Sequence, residues 1–236
     1  MNYHCLFEQS GTFKNVLKSH GHNAWDYDLQ NQFGETDFVI DLFFEIEKEY
    51  VNLIYNPIFP NETIFSNMKP EEDFIIAFFP CTHFCDANSL ICRLQNAGGK
   101  QIAYDQKTVK RLIDRNQERA RFFEIYLKFT YICQIKGIPT IIENPATSGG
   151  GSNYLKLYSP IDVGYYEKDR TLFGDKFKKP TNFYAINFDM KEKFTMFYDR
   201  NYKMQCIMNC KVDNIDRSLM TSTYAENFYK RFLERE

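Results

Sequence analysis

The chain has 236 residues, 44% hydrophobic and 17% aromatic, enough apolar material for one sizeable core without disulfides or metal and too much for a disordered chain. Lysine plus arginine (29) nearly balance aspartate plus glutamate (31), so no overall basic field draws the protein to phosphates, and any nucleic-acid contact has to come from a local patch. No apolar run reaches the ~18 residues of a membrane span, the start lacks a signal-peptide pattern, and seven cysteines in irregular contexts make no disulfide framework, so a soluble, cytoplasmic protein is expected.

Residues 3–7 form a short apolar run, and the polar turn Glu8-Gln9-Ser10-Gly11-Thr12 leads into the helical spacing of Phe13, Val16 and Leu17, closed by Gly21. That reads as strand, loop, helix. Residues 24–27 look like a second strand ending in acids, residues 38–41 a third, and residues 42–50 a helix. Residues 51–69, with Pro57, Pro60 and Asn61, read as an irregular surface connection. The continuous apolar run at 74–79 stops at Pro80, as a strand buried on both faces of a parallel sheet does. Apolar residues then recur at helical spacing from 109 to 136, Gly137 caps that helix, and residues 139–143 are the next strand.

This alternation predicts an α/β fold with a parallel, doubly wound sheet, as one domain over residues 1–187. Ligands of such sheets sit at the carboxyl ends of the strands, and Ser10-Gly11, Asp26, Asp41, Pro80-Cys81 and Glu143-Asn144 all fall there. After residue 146 the pattern changes. Residues 148–152 form a flexible glycine loop, 158–179 show no clear period, 182–188 read as a strand, 194–210 as one or two more, and 222–236 as a last helix with Ser222 or Thr223 near its cap. Residues 188–236 are expected to be a short appended region whose helix packs back on the domain.

Cys81 follows a buried strand and a stiffening proline, the placement a nucleophile needs, although a structural cysteine in apolar surroundings fits the same segment. Glu143 ends a second apolar strand and brings a carboxylate to the same edge. Together they suit covalent catalysis, one group attacking and the other holding or protonating the substrate. The basic residues Lys107, Lys110, Arg111, Arg115, Arg119, Arg121 and Lys128 face phosphates or, more simply, water, paired with Asp114, Glu118 and Glu124 along one helix. Cys81, His83 and Cys85, and Cys206 and Cys210, lack the short knuckles of a zinc site, so no metal is expected.

Phe79-Pro80-Cys81-Thr82 and Ile142-Glu143-Asn144-Pro145 resemble the Pro-Cys and Glu-Asn motifs of the DNA (cytosine-5) methyltransferases. Leu6-Phe7-Glu8-Gln9-Ser10-Gly11-Thr12 is similar to their first motif, Leu-Phe-x-Gly-x-Gly-Gly. Residues 179–187 resemble the Lys-Pro-Thr segment of small phage-type members, and residues 218–225 the last motif, in the same chain order. The resemblance implies a class I methyltransferase fold, S-adenosyl-L-methionine as cofactor, and as substrate a cytosine flipped out of DNA; the same chemistry on a free cytosine nucleotide, which needs no DNA-reading segment, is an alternative. Cys81 would add to C6 of cytosine, and Glu143 would contact N3 and the exocyclic amine. Phe7, Ser10, Gly11, Thr12 and Pro80 would border the cofactor, Phe7 near its adenine. Asp26, with Asp28 as its rival, would bind the ribose hydroxyls, and Asp41 the adenine amine.

The departures are as informative. One glycine, Gly11, stands where the family has three, and the Gln-x-Arg-x-Arg motif has no counterpart, Arg170 and Lys179 being the available cations. Only residues 188–217 are left for the large DNA-reading segment. An alternative is therefore a degenerate methyltransferase fold that engages another protein or DNA.

Overall fold

The computed structural model describes residues 1–84, 94, 100–147, 154–193 and 219–234. Seven strands form one sheet: β1 (Asn2–Leu6), β2 (Asn23–Asp28), β3 (Phe38–Val39), β4 (Asp73–Ala77), β5 (Thr140–Pro145), β6 (Val163–Glu167) and β7 (Thr181–Ile186). Their order is β3-β2-β1-β4-β5-β7-β6. β1 to β5 are mutually parallel, whereas β7 runs antiparallel to both β5 and β6. The strands through residue 145 are thus parallel as expected, and β6 and β7 beyond them make the sheet mixed. The tight antiparallel ladder from Thr140↔Ile186 to Pro145↔Thr181 is what reverses the last strand.

Period-two alternation sends the side chains of each central strand to two cores. On β4, Phe74 and Ile76 join one cluster while Ile75 and Ala77 join the other; Ile141 and Ile142 divide in the same way on β5. The first cluster is closed by α1 (Thr12–Ser19), α5 (Ser222–Phe228) and a π-helical turn (Tyr229–Leu233), through Phe13, Leu17, Tyr224, Phe228 and Phe232. The second lies under α2 (Leu42–Tyr55), α3 (Gln106–Lys136) and the short α4 (Tyr154–Tyr158), through Leu42, Ile46, Tyr126, Phe129, Ile132 and Leu155. Helices thus cover both faces, and burial of each such side chain contributes roughly 1.5 to 3 kcal/mol.

Several boundaries differ from the sequence reading. α2 runs on to Tyr55, capped by Asn56 in a left-handed conformation, so the first five residues of the expected connection are helical. The region at 158–179 holds β6 and a 3-10 turn (Arg170–Phe173), which a register shift between Val163 and Tyr165 and a five-residue length hide from any periodicity. The last helix is capped by Thr221, whose hydroxyl accepts from the Tyr224 N–H at 3.1 Å, rather than by Ser222 or Thr223. The strands expected at 194–210 lie outside the described residues. The π-helical turn is pinned by Arg231, fully buried, with Glu167 at 2.9 Å and Glu192 at 2.6 Å. Among the described residues, no helix is long and apolar enough to cross a membrane.

Candidate functional site

The chain leaves β1 toward β2 on one side and later enters β4 on the other, so a crevice opens outside the carboxyl ends of β1 and β4. A cleft of about 670 Å³ occupies it, within the range of small-molecule sites. Its walls include Phe7, Glu8, Ser10, Asp28, Asp41, Phe43, Phe79, Pro80, Cys81, Glu143, Lys179 and Met220.

On the β1 side, Phe7 turns out of the strand at φ 60°, a backbone conformation that a bulky residue adopts only where its surroundings hold it. Its N–H donates to the Tyr27 carbonyl at 2.8 Å. The ring then meets Phe79 and Phe43 edge-on, at centroid separations of 5.3 and 6.0 Å, giving the cleft an aromatic wall. Gly11, at φ 67°, is the N-cap of α1 and has no side chain to cap it. A Cβ there would come within 3.0 Å of Glu35 Oε2. Glu8 supplies the missing acceptor: its Oε1 takes the Phe13 N–H at 3.0 Å and the Ser10 hydroxyl at 3.1 Å. Burial outweighs those hydrogen bonds and pushes the Glu8 carboxyl up to about 7.

The acids of β2 and α2 divide. Asp28, the last residue of β2, and Asp41, which caps α2 by accepting from the N–H groups of Phe43 (3.0 Å) and Phe44 (3.3 Å), both stand in the wall. Asp26 does not. It is fully buried away from the cleft, paired with Lys14 at 3.0 Å and accepting from the Asp37 N–H at 2.8 Å. The Asp26 and Asp37 carboxylates together hold the Lys14 ammonium above its usual range, against the effect of its burial. Gly11 and Thr12 shape the loop without lining the cleft.

On the opposite rim, Phe78-Phe79-Pro80 carry the chain from β4 to Cys81, which stands half-buried in the cleft wall. The turn after it closes through the Phe84 N–H, which donates to the Cys81 carbonyl at 2.9 Å. Parallel pairing of Ala77 with Ile142 delivers the next residue of β5, Glu143, to the same end of the sheet. Asn144, fully buried, donates from Nδ2 to the Phe79 carbonyl at 3.2 Å and so ties the two strand ends together. Glu143 Oε1 accepts no hydrogen bond but lies 3.6 Å from Arg170 Nη1 and 3.8 Å from Lys179 Nζ. Arg170 is itself buried, paired with Asp175 and set over the Tyr224 ring at 4.8 Å. This rim presents a thiol, a carboxylate and one cation, Lys179, with Arg170 buried behind them, a set able to attack an electron-poor ring and to bind a polar edge of it.

Of the sequence-predicted residues, Phe7, Ser10, Asp41, Pro80, Cys81 and Glu143 come together on one cleft. The sequence offered no sign of Phe43 or of Glu8 as a helix cap; for Arg170 and Lys179 the missing arginine motif was the available signal. Leu219 and Met220, from the segment resembling the last motif, close the cleft on the α1 side. Cys85, Cys206 and Cys210 lie outside the described residues, and among those described no group of three acidic, histidine or cysteine side chains could hold a metal. On the basic helix Lys128 pairs with Glu124 at 2.6 Å and with Glu47 at 2.7 Å, while Arg119 Nε donates to the His83 carbonyl at 3.0 Å beside the cleft mouth. No family model and no curated protein sequence matches the chain.

Proposed function

We propose that this chain is an S-adenosylmethionine-dependent methyltransferase acting at C5 of cytosine. The observation that carries the reading is one cleft at the switch point of the sheet, bordered by both halves of the machinery the motifs imply. Cys81 and Glu143, from strand ends 62 residues apart in the sequence, share one rim with Lys179, and an aromatic wall with Asp28 and Asp41 forms the other. An adenosine fits the second rim by its chemistry: aromatic faces for the base, one carboxylate for the ribose hydroxyls and another for the adenine amine. Asp28, rather than Asp26, takes the ribose role. When bound, the cofactor supplies the methyl group.

The residues of the chain do the rest. Cys81, as thiolate, adds to C6 of the cytosine, and Glu143 holds N3 and the exocyclic amine so that electron density moves to C5. Once C5 is methylated it loses its proton, the C6–S bond breaks and the thiolate is restored. Fluorine at C5 blocks that last step, since it cannot leave as a proton. DNA or nucleotide carrying 5-fluorocytosine should therefore trap a covalent adduct with wild type and cofactor, and none with Cys81→Ser. Labelled cofactor incubated with DNA or with dCMP separates the substrates. Label in neither, with no adduct, would leave the degenerate fold, a reading favoured by the Glu8 side chain filling the α1 N-terminus.

A further inference from the structure

The outward face of the α2–α3 layer is apolar where a helix that faces water is ordinarily polar. On α2, Val51, Ile54 and Tyr55 are between 38% and 73% exposed; on α3, Leu127, Tyr131 and Ile135, four residues apart along one stripe, are between 37% and 57% exposed. Lys128 meets Glu47 at 2.7 Å, Tyr131 meets Tyr50 edge-on at 5.9 Å between ring centroids, and Lys136 meets Glu49 at 2.8 Å. These contacts hold the two helices side by side, so both sets of side chains share one surface. Directly after Tyr55 the chain adds a knob. Asn52 donates to the Asn61 carbonyl at 2.7 Å and accepts from its N–H at 2.9 Å, closing a loop in which Pro57 and Pro60 bracket Ile58 and Phe59, 90% and 89% exposed. Two large apolar side chains on a stiff, pinned tip are ordered before anything meets them, which lowers the entropic cost of docking.

We propose that this face is the interface of a symmetric dimer, its occupant a second copy of this chain. At roughly 200 Å² for a large side chain, these exposures leave about 900 Å² of apolar surface. That exceeds the ~300 to 600 Å² of the largest patch on a typical monomer and matches the ~800 Å² that each partner brings to a stable interface. The charges bordering the face are paired on it: Lys48 with Glu45, Lys128 with Glu47 and Glu124, Lys136 with Glu49. A two-fold axis sets the face against an identical one, so a net charge would repel its own copy and a neutral face does not. Cations committed in this way offer little to an anionic lipid surface or a phosphate backbone. The longest stretch outside the described residues starts after Lys193, which donates its N–H to the Arg231 carbonyl, and ends before Leu219, next to Met220 of the α1-side core. Both of its ends thus lie on the opposite face of the sheet.

The inference does not rest on the reading of the cleft, which opens at the carboxyl edge of the sheet, whereas the exposed side chains crowd the C-terminal ends of α2 and α3. Sedimentation velocity at tens of micromolar should give wild type twice the 28.1 kDa mass of the chain. Tyr55→Glu combined with Phe59→Glu sets two carboxylates from each copy into the closed face and should weaken pairing about a hundredfold or more, so that the variant sediments as a single chain. Leu172→Glu, a control on an exposed residue of the 3-10 turn whose Phe173 packs on the other core, should pair as wild type does. Hydrogen exchange gives an independent reading: amides at the end of α2 and in the Ile58-Phe59 loop should lose protection as wild type is diluted. A single-chain wild type overturns the proposal; a protected loop would then assign the face to residues 194–218 and an unprotected one to a different protein. Pairing that survives the double variant also overturns it. Should the double variant fail to fold, the dilution series decides: protection that falls supports the dimer and protection that stays constant sinks it.

Discussion

The two rims of the cleft satisfy their polar groups over very different spans of chain. On the β1–β2 rim the contacts are local: Glu8 caps a helix that begins four residues later, Asp41 caps α2 two and three residues on, and Lys14 meets Asp26 twelve residues away. On the β4–β5 rim they are distant: Asn144 reaches Phe79 across 65 residues, and Glu143 relies on Arg170 and Lys179, both from the connection between β6 and β7. The first rim needs little more than a strand, a helix and the next strand. The second exists only once the antiparallel end of the sheet has closed.

The sharpest way to break this contrast is Arg170→Met, which leaves Glu143 and Asp175 buried without their shared cation. Denaturation should show a loss of about 3 to 5 kcal/mol, and a loss below about 1 would mean that the distant rim does not depend on its ion pairs. Next in size is Glu8→Gln. The folded carboxyl titrates near 7 and the unfolded one near 4.5, so between those values the folded state holds the extra proton and wild-type stability falls as pH rises, then stays level above. Glutamine has no such titration. Urea melts should place the variant roughly 3 kcal/mol above wild type at pH 8, relative to their difference at pH 4, with the change confined to the window from about 4.5 to 7.

Asp28→Ala should weaken S-adenosylhomocysteine by about 1.5 to 3 kcal/mol in calorimetry and leave the melting curve in place. Asp26→Ala should do the reverse, since it leaves the buried Lys14 with Asp37 as its one remaining carboxylate; loss of cofactor affinity alone from Asp26→Ala would restore Asp26 to the site. The smallest effect belongs to Thr221→Ala, about 1 kcal/mol of stability, because its hydroxyl both caps α5 and donates to the Gly174 carbonyl at 2.7 Å.

The same division explains what was legible beforehand. β1, α1, β4, α3 and β5 announced themselves because apolar period and capping glycines are local signals, and Cys81 and Glu143 followed from the apolar runs that lead to them. Asp26 could not be told from Asp28 because one strand carries both acids with the same facing, and only packing shows which one is buried under α1 and which lines the cleft. β6 and the Arg170 turn were invisible for a related reason. Their residues are buried by partners far along the chain, so Glu167 and Arg170 look like surface charges until Arg231 and Glu143 are brought to them.

α3 has 31 residues, about 46 Å of helix, yet apart from Thr108 its buried side chains begin only at Ile125. The inner half is a core element, while the outer half, among the described residues, is mostly exposed, with Lys107, Lys110, Arg111, Arg115 and Arg119 along it, Arg119 bonded to the His83 carbonyl, and Arg121 and Phe122 where it meets the cleft wall. Amide protons should record the break: those after Ile125 exchange only with global opening, and those before Arg121 by fraying from the free end. The inner arm of α3 is held in the core, and one unbroken helix joins that arm, the Arg121 and Phe122 wall beside Cys81, and a basic end about 20 Å farther out, so the cleft wall and that end belong to a single rigid element.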